Sequence, residues 1–209
     1  MNRNLSLGTV LVLLSTACSD VEGEGDGHDH HHHDHNHGLA TSLYLDFTPQ
    51  SGGETLSFAW SDPENDGSPS IDSIVLADGE TYDVSVEVWN ELEDPAEEVT
   101  PEIAEYDDEH QFFFTGDAVQ GPATGENTSA IVEHGYADTD GNGDPVGIDN
   151  TFASLATGSG SMTVTLRHLP PEGRTATKTS GMADEVATGG LDSIAGDNDI
   201  QVEFPVTVE

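Results

Sequence analysis

The sequence predicts an all-β fold, a β-sandwich of Ig-like or jelly-roll-like type with about seven to nine strands and one short helical insertion near residues 95–110. Three observations carry this. From residue 39 onward, segments with period-two alternation of apolar and polar side chains recur along the chain. Clusters of glycine, proline and aspartate separate them. The hydrophobic content is 34%, modest but enough to fill a thin core between two sheets.

In order, the strand segments are SLYLDF (42–47), TLSFAW (55–60), YDVSVEVW (82–89), QFFFTG (111–116), SAIVEHGY (129–136), SMTVTLRH (161–168) and IQVEFPVTV (200–208). The helical insertion starts from Asp94-Pro95-Ala96-Glu97, a capping residue followed by proline at the first helical position and a glutamate three on. Val99, Ile103 and Tyr106 then share one helical face, with His110 a turn beyond, and Pro101 is expected to kink or break the first turn. A weak repeat runs through the domain. WSDPENDG (60–67) precedes Gly79 and the strand of Val84, Val86 and Val88, while YADTDGNG (136–143) precedes Gly158 and the strand of Met162, Val164 and Leu166. Two related halves, split near 117–128, would account for it.

Residues 1–17 read as a signal peptide, with Arg3 ahead of an apolar run from Leu5 to Leu14 that is too short to span a bilayer. Ser15-Thr16-Ala17 supplies the small residues of a cleavage site, and Cys18 follows at once. An ordinary cut after Ala17 fits the same residues. The segment resembles a bacterial lipobox, which implies lipidation of Cys18 at the mature amino terminus. As the sole cysteine of the chain, Cys18 has no disulfide partner, so stability must come from packing or bound ions. Residues 18–38 hold Gly, Asp, Glu and His with almost nothing to bury and are expected to be a disordered tether.

Four basic residues stand against 41 acidic ones, a formal charge of −37. Such a chain repels nucleic acid and anionic headgroups, which removes both as partners, and attracts cations. Three of the basic residues, Arg167, Arg174 and Lys178, gather near the carboxyl end, with Arg167 expected to pair with carboxylates.

Three groups of residues have metal-binding chemistry. His28, His30, His31, His32, His33, His35 and His37 lie within ten residues, interleaved with Asp29 and Asp34. Neutral imidazoles in a flexible run can ligate zinc, with nickel or copper as alternatives, in many registers. The bland reading is a hydrophilic spacer. Two carboxylate loops come next. Asp138, Asp140 and Asn142 alternate before Gly143 and Asp144, with Asp149 at the twelfth position; Asp62, Glu64 and Asp66 alternate before Gly67. That pattern resembles the start of EF-hand-type and thrombospondin-repeat calcium loops, although no helices flank it, and an Asx-rich turn without an ion is the simpler alternative. Lastly, His110 and His168 each continue a core-facing stripe and could meet at a sheet edge, with Glu109 or Glu133 beside them.

The lipobox, the tether, Asn90-Glu91, DEHQFFF (108–114) and LRH (166–168) together resemble an uncharacterised family of bacterial surface lipoproteins with β-rich domains. The resemblance implies export and fold, and no activity. Without a nucleophile elbow, a helical HExxH or a phosphate-cradling glycine loop, no enzyme is expected. The leading expectation is a lipid-anchored, extracytoplasmic protein, on the cell membrane or outer membrane, that captures zinc on its tether and docks to a membrane metal transporter. Its rival is a calcium-stabilised structural or adhesive surface module.

Overall fold

The computed structural model describes residues 39–172, 175 and 177–209. The leader, Cys18, the seven histidines from His28 to His37, and Arg174 lie outside the described residues. Twelve strands and two α-helices are described: β1 (Ser42–Pro49), β2 (Leu56–Ser61), β3 (Ser70–Ile71), β4 (Ile74–Leu76), β5 (Thr81–Asn90), β6 (Glu97–Glu98), α1 (Thr100–Glu105), β7 (His110–Thr115), β8 (Val119–Gln120), β9 (Val132–Tyr136), β10 (Asp149–Ser154), β11 (Gly158–His168), α2 (Met182–Gly189) and β12 (Asp197–Val208).

They form an all-β sandwich of two sheets. The larger runs β3-β2-β1-β5-β10-β9-β8, with β6 alongside β5, and the smaller runs β4-β12-β11-β7. Pairing is antiparallel except at β8–β9 and β4–β12. Alternation decides which side of each strand faces in. Leu43, Leu45 and Phe47 of β1 register with Val88, Val86 and Val84 of β5, and all six are at most 2% exposed. Across from them stand Met162, Val164 and Leu166 of β11 and Val202, Phe204 and Val206 of β12, in one continuous core. Each such side chain contributes about 1.5–3 kcal/mol by leaving water. Strands from both sides of residues 117–128 enter each sheet.

All seven expected strands are present with bounds shifted by at most three residues. The strand β10 was not expected. Its inward positions are Asn150, Phe152 and Ser154, so it alternates in burial without alternating in hydropathy. The helix also differs from expectation. It begins at Thr100, with Pro101 in its first turn, where the missing N–H is no loss. Asp94 and Pro95 belong to the preceding turn. Val99 N–H donates to Val88 O at 2.8 Å, and the Thr100 hydroxyl accepts from Val88 N–H at 2.8 Å, which fastens the helix to β5. His110 lies past the helix, at the first position of β7.

A second helix, α2, is framed by Gly181 and Gly190, both at positive φ. It buries Met182, Ala183 and Val186 against Phe113, Ala123, Leu169 and Ile194. This explains HQFFF: Phe112 and Phe114 point into the sandwich while Phe113 points out beneath α2, so the strand is apolar on both faces. Among the described residues no helix covers the Tyr44, Glu87 and Trp89 face of the larger sheet.

Candidate functional site

The sandwich edge where β7 begins and β11 ends brings His110 and His168 together. They are register partners, and their rings stack with centroids 5.0 Å apart and planes 8° from parallel. A 3-10 turn, Asp107–Glu109, delivers the chain into β7 and places Glu109 beside them, with Oε2 3.9 Å from His168 Nε2. His110 Nδ1 lies 2.8 Å from Tyr106 O. A carbonyl only accepts, so Nδ1 carries the proton and a neutral ring has its lone pair on Nε2. Gly196, at φ 88°, lets the loop into β12 pass close to the His168 carbonyl, a place where a Cβ would collide.

Beside His110 is a cavity of about 130 Å³ lined by Leu39, Ala40, Val88, Val99, Ile103, His110, Leu166 and Asp199. Asp199 reaches it through a bulge. The β11–β12 ladder pairs Arg167 with Asn198 and Leu166 with Ile200, leaving Asp199 as the extra residue. Leu39, the first described residue, is 49% exposed at the same cavity, so the chain enters the domain beside the histidine pair. Glu133 is elsewhere, exposed on β9 and hydrogen-bonded by Gln120. Among the described residues Arg167 pairs with no carboxylate, contrary to expectation. Its guanidinium donates to Ala195 O at 2.9 Å, Ile194 O at 3.2 Å and Asn198 Oδ1 at 2.6 Å, closing the loop that precedes β12.

The carboxylate loops use their oxygens on their own backbones. In the first, Asp62 accepts from Asp66 N–H at 3.1 Å and Gly67 N–H at 2.9 Å, and Asp66 accepts from Ser68 N–H at 2.9 Å. Glu64 is exposed. In the second, Asp138 accepts from the N–H groups of Gly147, Ile148 and Asp149 at 2.7, 2.8 and 3.1 Å. Asp140 Oδ1 accepts from Asn142 N–H at 2.8 Å and Asp144 N–H at 2.9 Å, while Oδ2 faces Lys178 Nζ at 3.0 Å. Both side chains of this ion pair are 1% exposed, and Lys178 also donates to Asp107 O at 2.6 Å. Burial pushes the Asp140 pKa up, but the hydrogen bonds from Asp144 and Asn142 and the Lys178 charge prevail, and the net shift is downward. Asp149 begins β10, where burial and then the Asp138 charge raise its pKa. Among the described residues no group of three or more His, Cys, Asp or Glu side chains is disposed to hold a metal ion.

His134 went unnoticed in the sequence. It faces inward from β9 at 3% exposure, packed against Phe114, Phe152 and Tyr136 with ring centroids 4.5–4.9 Å away. Asn150 Nδ2 donates to Gly147 O at 2.7 Å, which turns Asn150 Oδ1 toward His134 Nε2 at 3.0 Å. Nε2 therefore carries the proton, and Nδ1 lies buried without a hydrogen-bond partner. Burial lowers its pKa to about 4, with the Asn150 hydrogen bond opposing. It is a neutral core histidine. The period-two alternation of SAIVEHGY was the available signal, since it puts Val132 and His134 on one face. Compared with known protein families, curated proteins and solved structures, the chain matches none.

Proposed function

We propose that this is a lipid-anchored, extracytoplasmic protein that captures a transition metal, zinc first, on the histidine tract from His28 to His37. One observation carries the reading: seven imidazoles fall within ten residues, in a stretch that also holds Asp29 and Asp34. Such a run offers the nitrogen ligands that zinc prefers and exchanges metal readily, which suits capture and hand-off. Asp62, Asp66, Asp138 and Asp140 accept from backbone N–H groups, Asp140 also faces Lys178, and among the described residues no group of three or more His, Cys, Asp or Glu side chains is disposed to hold a metal ion. The acidic surface raises the local concentration of cations. A membrane metal transporter is the partner this role requires, and Cys18 the anchor that keeps the protein beside it.

Zinc titration of the mature chain, with and without residues 28–37, tests the reading. Deletion is expected to remove most of the bound zinc while the circular dichroism of the β-domain stays unchanged. In the intact chain zinc should be released as pH falls through about 6.5, where protons compete for the ring nitrogens. Full stoichiometry in the deleted protein would move the ions to His110 and His168 and make the tract a spacer. Fatty-acid labelling of wild type and Cys18→Ser tests the anchor separately, and equal labelling of the two would refute it.

A further inference from the structure

The outward face of the larger sheet carries a groove of about 370 Å³ lined by Tyr44, Asp46, Ser57, Glu87, Trp89, Glu91 and Ala96. Strand register builds it. Along β1 and β5 the outward pairs are Ser42 with Trp89, Tyr44 with Glu87 and Asp46 with Ser85, and Asp46 also pairs with Ser57 of β2. Tyr44 and Trp89 are thus diagonal neighbours, at a spacing that long aromatic side chains can bridge. Glu91 sits just past the end of β5, where its N–H donates to the Thr41 hydroxyl at 2.8 Å. Ala96, from the connection between β5 and β6, closes the groove on one side.

Both aromatic polar tips are already committed. Trp89 Nε1–H donates to Glu87 Oε2 at 3.2 Å, and the Tyr44 hydroxyl donates to Glu91 Oε1 at 3.1 Å. These bonds fix the rings and leave the groove rich in acceptors, with three carboxylates, two π-systems and a single serine hydroxyl. Neither of the described basic residues, Arg167 and Lys178, lines it. An occupant must therefore bring donors, positive charge and flat apolar surface. The geometry points to a recognition site for an arginine side chain on a basic segment of a partner protein. A guanidinium meets each requirement: it forks onto carboxylates, stacks on aromatic rings and is weakly hydrated. The proposal does not depend on the zinc reading.

The probe is N-acetyl-arginine amide, titrated into the whole chain at moderate ionic strength and followed by the Trp89 indole N–H resonance. Saturable binding is expected, weakening as salt rises, and the uncharged isostere N-acetyl-citrulline amide should not bind. Glu87→Gln with Glu91→Gln, or Tyr44→Leu alone, should each weaken it about three- to tenfold. Asp83→Asn with Asp149→Asn removes the same charge from the same sheet face outside the groove and should leave the affinity unchanged. Equal weakening by both charge-matched pairs would mean general attraction to an acidic protein and would overturn the site. So would binding of citrulline amide, or of a neutral sugar such as maltose, with no dependence on salt. Circular dichroism of each variant shows whether a loss comes from unfolding, and the Tyr44→Phe variant, which keeps the ring, should retain binding.

Discussion

The loops at 62–67 and 138–143 share alternating carboxylates and a closing glycine, yet they are held in different ways. Asp62 is bound by the N–H groups of residues four and five positions on, so the first loop is closed locally. Asp140 closes its own turn in the same manner and then receives Lys178, whose Nζ is 3.0 Å away and 38 residues on. Asp138 reaches further still, to three N–H groups at residues 147–149. The same pattern is closed within the loop in one place and extended into a longer-range clasp in the other, although Asp62 and Asp140 are equally buried at 6% exposure. What separates them is the reach of Asp138 to residues 147–149 and the cation that tertiary structure brings to Asp140.

Breaking the clasp should have the largest effect. Lys178→Met leaves the Asp140 charge buried without its counter-ion and should cost about 3–5 kcal/mol in urea unfolding. Comparable loss from Asp62→Ala would erase the distinction between the loops.

Acid should come next, in two stages. His134 has a folded pKa of about 4 against an ordinary value of 6.5. The unfolded chain therefore takes up a proton that the folded one refuses, and about 3 kcal/mol of stability present above pH 6.5 is lost as pH falls to 4. Replacing His134 with Phe should flatten that slope in a pH series of urea midpoints. Asp140 acts lower. Its folded pKa is depressed, so its contribution is present above the ordinary aspartate value and disappears as pH falls through the depressed one. Asp140→Asn should remove that second stage and leave the first.

Asp62→Ala should cost about 1–2 kcal/mol, since it leaves two N–H donors of one turn without their acceptor. A urea midpoint unchanged from wild type would show that water replaces both bonds.

The smallest effect concerns calcium. At matched ionic strength calcium should raise Tm by no more than a few degrees over sodium, because the carboxylates of Asp62, Asp138 and Asp140 already accept from backbone N–H groups. A larger increment that Asp138→Asn abolishes would return the second loop to a calcium site.

Much of the fold was legible because burial in a two-sheet sandwich writes period two directly into the chain. SLYLDF, YDVSVEVW and SMTVTLRH each alternate, and each is a central strand with its apolar side inward. His110 and His168 do meet, but through the antiparallel pairing of β7 with β11 and not through the helical stripe on which His110 was expected to lie. The strand β10 was hidden because two of its three inward residues, Asn150 and Ser154, are polar and are used for hydrogen bonding or tight packing rather than hydrophobic burial. The helix α2 was hidden because its buried face comprises only Met182, Ala183 and Val186, too short a stripe to stand out. The acidic composition, the single cysteine and the histidine tract are properties of the sequence alone, because net charge and residue content need no fold. Which carboxylate receives Lys178, which histidine is sealed among phenylalanines, and which outward tyrosine and tryptophan share a groove were decided only in three dimensions. Each depends on residues dozens of positions apart being brought within a few ångströms, and no local pattern records which pairs the packing will choose.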